Sequence, residues 1–339
     1  MSSPPRFWSR PSPLGTVLSP LGWAYSAIAA RRMAREGRRV PVPVLCIGNP
    51  TVGGAGKTPT ALALGETARR MGQAPGFLSR GYGRAGRGTV LVDPHAHDAS
   101  AVGDEPLLLA ALAPTVVARD RADGAKLLAR QGVDLVIMDD GFQSRAIEPD
   151  LALLLVDGVR GVGNGRVLPA GPLRAPLGRQ LQRADALLVV DSGAGAKGAG
   201  TIIEHAEGSG VRVLEGRIVA EGGEGLRGRD VFAFCGLADP EKFRRSLEAA
   251  GARVRGRRDF ADHHPYTREE IERVLHDAKA LGARPVTTAK DRVRIQGLGL
   301  AEGIDVLDIR MELAPEAAEW LVTETVRRGR SRLAQPTSD

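Results

Sequence analysis

Several short stretches of this chain carry residue types whose spacing suits chemistry on phosphate. The first is PVLCIGNPTVGGAGKTPT, residues 43–60, in which an apolar run enters a glycine-rich turn and then a helix-forming segment. Gly56, Lys57 and Thr58 fit the end of a P-loop. Gly53, Gly54 and Gly56 let the backbone N–H groups of Thr51, Val52, Gly53, Gly54, Ala55 and Gly56 converge on phosphate oxygens. Lys57 would then reach the β- and γ-phosphates, and Thr58 would offer its hydroxyl to Mg²⁺. The usual first glycine of such a loop, five places before Gly56, is Thr51 here. A glycine turn without function is the alternative, and the strand before it and helix after it argue against that.

The second stretch, VDLVIMDDGFQ (133–143), reads as a buried strand ending in Asp139 and Asp140. P-loop folds place an aspartate at such a strand end to hold the Mg²⁺ shell. Alone, two acids after a strand fit a solvated loop start equally well; a P-loop upstream favours the metal role. A branch of P-loop ATPases carries a similar Gly-Gly-x-Gly-Lys-Thr turn with a signature lysine before the paired glycines. Val52 stands there in this chain. The chain therefore reads as an ATP-dependent kinase, with a nucleotide switch acting on a protein partner as the alternative.

Three more segments supply polar groups for an acceptor. VGDEP (102–106) sets Asp104 and Glu105 before an apolar run, where Asp104 also fits a helix N-cap. GNGRVLPAGPLRAP (163–176) is a long Gly/Pro-punctuated loop bearing Asn164, Arg166 and Arg174. DFADHHPYT (259–267) clusters Asp262, His263 and His264 after a strand. Adjacent histidines point in different directions, and no cysteine accompanies them, so a zinc site is not expected.

The elements that must position these groups alternate. Apolar strands are predicted at 42–47, 75–79, 89–92, 115–118, 133–138, 151–156 and 185–190, with helices at 58–71 and 121–131. This implies a mainly parallel sheet covered on both faces, a P-loop NTPase-like α/β domain over 40–215. The small-residue run SGAGAKGAG (192–200) is a plausible break, and the two domains are joined near 200–228. A smaller α/β domain over 216–330 follows, with strands at 231–235, 253–258, 285–288 and 305–309 and helices at 240–250, 268–281 and 315–328. The tail SRLAQPTSD reads as frayed.

Residues 1–39 form a separate N-terminal segment. Ser19-Pro20 marks a helix start, with Ser19 as N-cap, and Leu21, Ala24, Tyr25 and Ile28 recur at helical spacing before Arg31, Arg32 and Arg35. A helix over 20–36 would be roughly 25 Å long at about 1.5 Å per residue, with only its first half apolar. That is too short to span a bilayer, and basic residues after the apolar stretch do not make a cleaved signal. Two readings remain: a helix packed on its own domain, or an amphipathic helix in a membrane interface with Trp23 and Tyr25 at headgroup level.

The 339 residues carry a net charge of +7, which favours an anionic partner without choosing one. Aromatic residues make up only 4 %, without basic–aromatic interleaving, so nucleic acid is not expected. Cys46 and Cys235 sit in apolar runs and read as buried, reduced thiols.

Taken in order, TVGGAGKTP, SRGYGR, GDEP, DDGFQ, GNGRVLPAGPLR, DHHPY and TTAKD resemble the tetraacyldisaccharide 4′-kinases of lipid A biosynthesis, over roughly residues 14–310. The resemblance is specific because seven motifs are collinear, and Thr51 is itself usual in that family. It implies transfer of the γ-phosphate of ATP to the 4′-hydroxyl of a tetraacyldisaccharide 1-phosphate lipid, at the cytoplasmic face of the inner membrane. It also implies a fold of two α/β domains around a cleft, with a helix touching an anionic bilayer surface; the chain is read as a monomer. Asp104 and His263 match the family's catalytic dyad, and Asp104 is expected to take the proton while His263 orients it. Lys57 would serve the transferring phosphate, and Thr58, Asp139, Asp140 and Glu105 the Mg²⁺. Arg80, Arg121, Asn164, Arg166 and Arg174 are weaker substrate candidates, and Thr288, Lys290 and Asp291 of TTAKD are possible nucleotide contacts. One departure stands out. The family's LREP is Leu173-Arg174-Ala175-Pro176 here, which removes a glutamate.

Overall fold

The computed structural model describes residues 5–335 apart from 82, 83, 85, 87, 145 and 192–194. The centre of SRGYGR, the first part of SGAGAKGAG and the last four residues of the tail therefore lie outside the described residues. The chain opens with α1 (Pro13–Val17) and α2 (Ser19–Met33). A first lobe follows with β1 (Val44–Gly48), α3 (Lys57–Arg70), β2 (Pro75–Ser79), β3 (Val90–Leu91), α4 (Ala99–Val102), α5 (Asp104–Ala110) and β4 (Thr115–Val117). It continues through α6 (Arg121–Arg130), β5 (Leu135–Asp139), β6 (Leu151–Asp157), α7 (Leu177–Leu181), β7 (Ala186–Asp191), α8 (Gly200–Gly208) and β8 (Arg212–Glu221). The distal lobe holds β9 (Asp230–Cys235), α9 (Pro240–Ala249), β10 (Arg253–Asp259), α10 (Arg268–Ala280), β11 (Arg284–Thr288), α11 (Ala289–Gln296) and β12 (Asp305–Leu313). The last helix, α12 (Pro315–Ala334), returns to the first lobe.

The twelve strands of the described residues lie in one sheet, ordered β10-β9-β11-β12-β8-β7-β6-β1-β5-β2-β4-β3. It consists of two mainly parallel blocks joined by the antiparallel pair β12 with β8, and the short β3 runs antiparallel to β4 at the far edge. β12 serves both: Asp305–Leu307 pair with β11, while Asp308–Leu313 pair with Glu221–Gly216 of β8. The stretch 200–228, read from sequence as a connection, thus contains α8 and the strand that joins the lobes. β8 escaped notice because its residues are mostly exposed or half-buried and lack the continuous apolar run of β1 or β6.

Burial on both faces explains why the central strands read as unbroken apolar runs. In β1, Val44 and Cys46 pack with Ala122, Ala125 and Leu128 of α6, while Leu45 and Ile47 pack with Ala61 and Leu64 of α3 and Leu321 of α12. Burial pushes both thiols, Cys46 and Cys235, up to about 12, and both cysteines are unpaired and buried.

The N-terminal helices depart from the sequence reading at their cap. Ser12, not Ser19, caps a helix, accepting from Gly15 N at 3.1 Å; Ser19 lies inside α2, and its hydroxyl donates to Gly15 O at 3.0 Å. The face packed on the domain is made of small residues and one long one: Gly15, Gly22, Ala29 and Met33. A Cβ on Gly22 would lie 3.2 Å from Val167 O, so glycine permits the close approach to the 163–176 loop. The large apolar residues Leu14, Val17, Leu21, Trp23, Tyr25 and Ile28 all face out. No helix among the described residues is long and apolar enough to cross a membrane.

α12 is stapled to β1 by a buried pair. Arg332 grips Asp150 at 2.7 and 2.9 Å and donates to Val40 O and Val42 O, while Asp150 also accepts from Val44 N. Removing one partner of a buried ion pair strands the other charge, at a cost of about 3–5 kcal/mol. Arg332→Ala is expected to lower unfolding stability by that amount in urea titrations, and Arg332→Lys by less. An unchanged midpoint in Arg332→Ala would show that the pair does not hold α12.

Candidate active site

The turn after β1 is built for close approach. Gly53 has φ 119° and Gly56 has φ 83°, conformations that favour glycine, and a Cβ on Gly53 or Gly54 would meet nothing within 4 Å. That open concavity leads into the first turn of α3, whose N–H groups lack helical acceptors and whose dipole favours anions. Thr51 and Val52 are tied elsewhere: Thr51 bridges Leu173, and Val52 N donates to Pro172 O at 2.8 Å. That leaves Gly53 to Thr58 as the part of the loop available to a phosphate. Asn49, missed from sequence, braces it by donating from Nδ2 to Thr51 O at 2.6 Å and Gly53 O at 2.9 Å. Gln143 in turn donates to Asn49 O at 2.8 Å.

Lys57 Nζ sits 3.4 Å from Asn49 Oδ1 and 3.9 Å from Asp140 Oδ1. Asp140 also accepts from Arg174 NH1 at 3.0 Å. Burial alone would raise Asp140, but Lys57 and Arg174 outweigh it and hold its carboxyl below the usual range. Its φ of 54° marks a left-handed residue that is not glycine; His263, at 57°, is the other among the described residues. Such conformations are costly and persist where surrounding contacts impose them. Both fall at this site.

Asp139, at the end of β5, is fully buried among charges, and its Oδ1 has no hydrogen-bond partner. Burial, reinforced by the nearby charge of Glu105, pushes its carboxyl up to about 7. An orphaned, proton-hungry carboxylate oxygen within electrostatic reach of Lys57 and Glu105 suits a divalent cation. No group of three or more His, Cys, Asp or Glu among the described residues forms a cage. Mg²⁺ does not need one, since it is held by one or two carboxylates together with substrate phosphates.

α5 starts at Asp104, after Gly103 with φ 93°. Its first two side chains point across to the distal lobe rather than capping the helix. Asp104 Oδ2 meets His263 Nδ1 at 3.1 Å and is bonded by Arg294 NH2, while Oδ1 accepts from Glu105 N at 2.9 Å. A guanidinium cannot accept, and a carboxylate is the stronger acceptor, so the network assigns the Nδ1 proton to the bond with Asp104. Burial opposes the Asp104 charge, but His263, Arg294 and Lys290 overcome it and hold the carboxyl far below its usual range. The same hydrogen bond raises His263 against the effect of its burial. The imidazole is 38 % exposed and the carboxylate 6 %, so the ring is the member of the pair that reaches solvent.

Glu105 pairs with Lys290 Nζ at 2.5 Å and lies within electrostatic reach of Lys57 and Asp139, which links this clamp to the P-loop. Lys290 and Arg294, four apart on α11, present one helical face to the adjacent acids of α5. Asp291 is fully buried; Gly236 N, Tyr266 Oη, Thr288 Oγ1 and Arg294 NH1 all donate to it. Thr288, which caps α11, and Asp291 are thus occupied within the distal lobe, where the sequence had suggested nucleotide contacts.

Three of the substrate candidates have internal tasks instead. Arg121 is buried and donates to the carbonyls of Leu78, Asp139 and Asp140, which fixes the strand end carrying the two acids. Asn164 bonds Phe7 O and Ala170 O, and Arg166 bonds Gly15 O and Thr16 Oγ1, so both fasten the N-terminal helices. Arg80 is exposed beyond β2, and Arg174 stays at the P-loop. Ala175 is fully buried with its carbonyl bound by Gln180, so that stretch adds no carboxylate. A cavity of about 710 Å³ lined by Arg31, Arg179, Asp150, Asp185 and Arg328 lies at the opposite ends of β6 and β7, away from these groups.

Comparison with known proteins decides what this arrangement belongs to. Residues 14–326 match the family described as tetraacyldisaccharide-1-P 4′-kinase. The chain belongs to that family. It is 49 % identical over 321 residues to the tetraacyldisaccharide 4′-kinase of Methylobacterium sp. strain 4-46, covering 94 % of this chain and 95 % of that one. It is 47 % identical over 338 residues to that of Rhizobium rhizogenes, covering 97 % and 94 %. Among solved structures, LpxK from Aquifex aeolicus in complex with ATP superposes with a TM-score of 0.71 at 28 % identity, covering 92 % of this chain and 99 % of that one. Membership of this kinase family sets aside the nucleotide-switch alternative, and the shared fold agrees with the P-loop α/β reading.

Asp139 generates a pH test in the metal-free protein. An acid raised from 3.8 to about 7 on folding holds a proton in the folded state that the unfolded state has released. Its contribution is favourable below pH 4 and is lost as pH rises towards 7, by about 4 kcal/mol at most. Asp139→Asn should therefore be more stable than the parent at pH 8 without divalent cation, with the gap closing near pH 4. A destabilised Asp139→Asn at pH 8 would contradict the buried, uncompensated carboxyl.

Proposed function

We propose that this chain transfers the γ-phosphate of ATP to the 4′-hydroxyl of tetraacyldisaccharide 1-phosphate, in lipid A biosynthesis, with the Asp104–His263 couple as its general base. The observation that carries the reading is the 3.1 Å contact of His263 Nδ1 with Asp104 Oδ2, made between lobes next to Glu105, which lies within electrostatic reach of Lys57. A sugar hydroxyl is a weak nucleophile at neutral pH, and a placed base contributes about 10²–10⁴-fold. The couple acts as one titrating unit: Asp104 fixes the ring through Nδ1 and makes it more basic, and Nε2 of the neutral ring takes the proton.

Gly53 to Thr58 cradle the ATP phosphates, and Lys57 exchanges its weak contact with Asp140 for the transferring group. Mg²⁺, held by Thr58 and Asp139 with Asp140 and Glu105 beside them, would neutralise the charge that develops on the β- and γ-oxygens. Of the arginine candidates, Arg174 lies beside the loop and Arg80 is exposed beyond β2, and these two are left to meet an anionic substrate.

The outward apolar face of α1 and α2 supports a peripheral position at the cytoplasmic face of the inner membrane. Six large apolar side chains on one short stretch, with Arg31, Arg32 and Arg35 behind them, suit insertion among headgroups of anionic lipid. Arg166 and Asn164 fasten that segment to the loop whose far end, Arg174, reaches the P-loop. A lipid-borne acceptor would thereby be delivered near the cleft.

Two measurements test this. With ATP and the lipid disaccharide, Lys57→Ala should abolish formation of the bisphosphorylated product seen by mass, and Asp104→Ala and His263→Ala should each lower kcat about 10²–10⁴-fold. Full activity of Lys57→Ala would refute the P-loop role. Replacing Leu21, Trp23 and Ile28 together with serine should weaken sedimentation with anionic vesicles and raise KM for the lipid but not for ATP. Unchanged sedimentation would refute the membrane role.

A further inference from the structure

Arg294 belongs to no motif by which the chain was read, yet it touches both members of the proposed couple. Its NH2 bonds Asp104 Oδ2 and lies 3.2 Å from His263 Nδ1; its NH1 donates to Asp291 Oδ1 at 2.8 Å and Gly236 O at 3.2 Å. The side chain is 6 % exposed, so it does not itself reach a substrate. Asp291 is the anchor: held by Tyr266, Thr288 and Gly236, it leaves the guanidinium a single orientation. His263 N donates to the same Gly236 carbonyl at 3.2 Å, which ties the histidine's strained backbone to the same point.

We infer that Arg294 is a positioning residue for phosphoryl transfer, fixing Asp104 against His263 from the distal lobe. The inference rests on the reading of Asp104 and His263 as the base couple. The carboxylate comes from α5 of one lobe, whereas the imidazole and the guanidinium come from the loop after β10 and from α11 of the other. The couple is therefore complete only when the lobes are closed. A lysine retains one charge but is a point donor, and it cannot bond Asp104, Asp291 and Gly236 O together.

The test uses the full chain with ATP and the lipid disaccharide 1-phosphate in mixed micelles. Arg294→Lys should fold, keep KM for ATP within about threefold and lose at least about tenfold in kcat, because the loss falls on base geometry and not on nucleotide binding. Arg294→Ala should lose more, and added methylguanidinium should restore part of its kcat while leaving Asp104→Ala unaffected. If Arg294→Lys keeps kcat within about twofold of the parent, the inference is overturned. A parallel rise of KM for ATP in Arg294→Ala, with no restoration by methylguanidinium, also overturns it, since that is the behaviour of a purely structural residue. Should Asp104→Ala and His263→Ala themselves keep kcat, the base-couple reading fails whatever Arg294 does.

Discussion

The contact between Asp104 and the distal lobe is the constraint on which the rest of the site depends. A carboxylate this enclosed is tolerated because His263, Arg294 and Lys290 surround it with donors and positive charge, and all three come from across the cleft. Glu105 repeats the arrangement one residue on, with Lys290. The two acids at the start of α5 therefore do double service, joining the lobes and placing polar chemistry beside the P-loop. Further out, Lys242 with Asp157 and Arg160 with Asp239 bridge the same lobes at 2.8 Å, in more exposed settings where such pairs contribute little.

The sheet makes this geometry possible. β8 and β12 form an antiparallel seam between two mainly parallel blocks, so the lobes are joined along strands and not only through a linker. Gly56 rests on that seam: a Cβ there would stand 3.0 Å from Ile218 Cδ1 of β8 and 3.4 Å from Met311 Cε of β12. A side chain at position 56 would therefore press on the junction of the lobes, and glycine lets the loop lie close to it.

Much of this was legible in the sequence, and the remainder was hidden for definable reasons. Central strands such as β1, β5 and β6 announce themselves because both faces are buried, and the P-loop and the paired acids follow from local spacing. β8 was lost because a half-exposed strand has no such run. The apolar stripe of α2 was visible, but periodicity does not say whether a stripe faces in or out; the glycines and alanine at 15, 22 and 29 were the signal that the opposite face is the packed one. Arg166 and Arg121 looked like substrate groups because sequence shows a charge and not its partners, and here the partners are backbone carbonyls and, for Arg166, hydroxyls as well. Arg294 had only one hint, its position three residues after the aspartate of TTAKD, since its meaning arises when residues 190 positions apart meet.

The most direct measurement is a crystal structure of the chain with a non-hydrolysable ATP analogue and the acceptor disaccharide. The triphosphate is expected on Gly53 to Thr58, with the acceptor 4′-hydroxyl in line with the γ-phosphate and within hydrogen-bonding distance of the Asp104–His263 pair. An acceptor hydroxyl beyond the reach of both side chains in a closed, doubly liganded complex would contradict it.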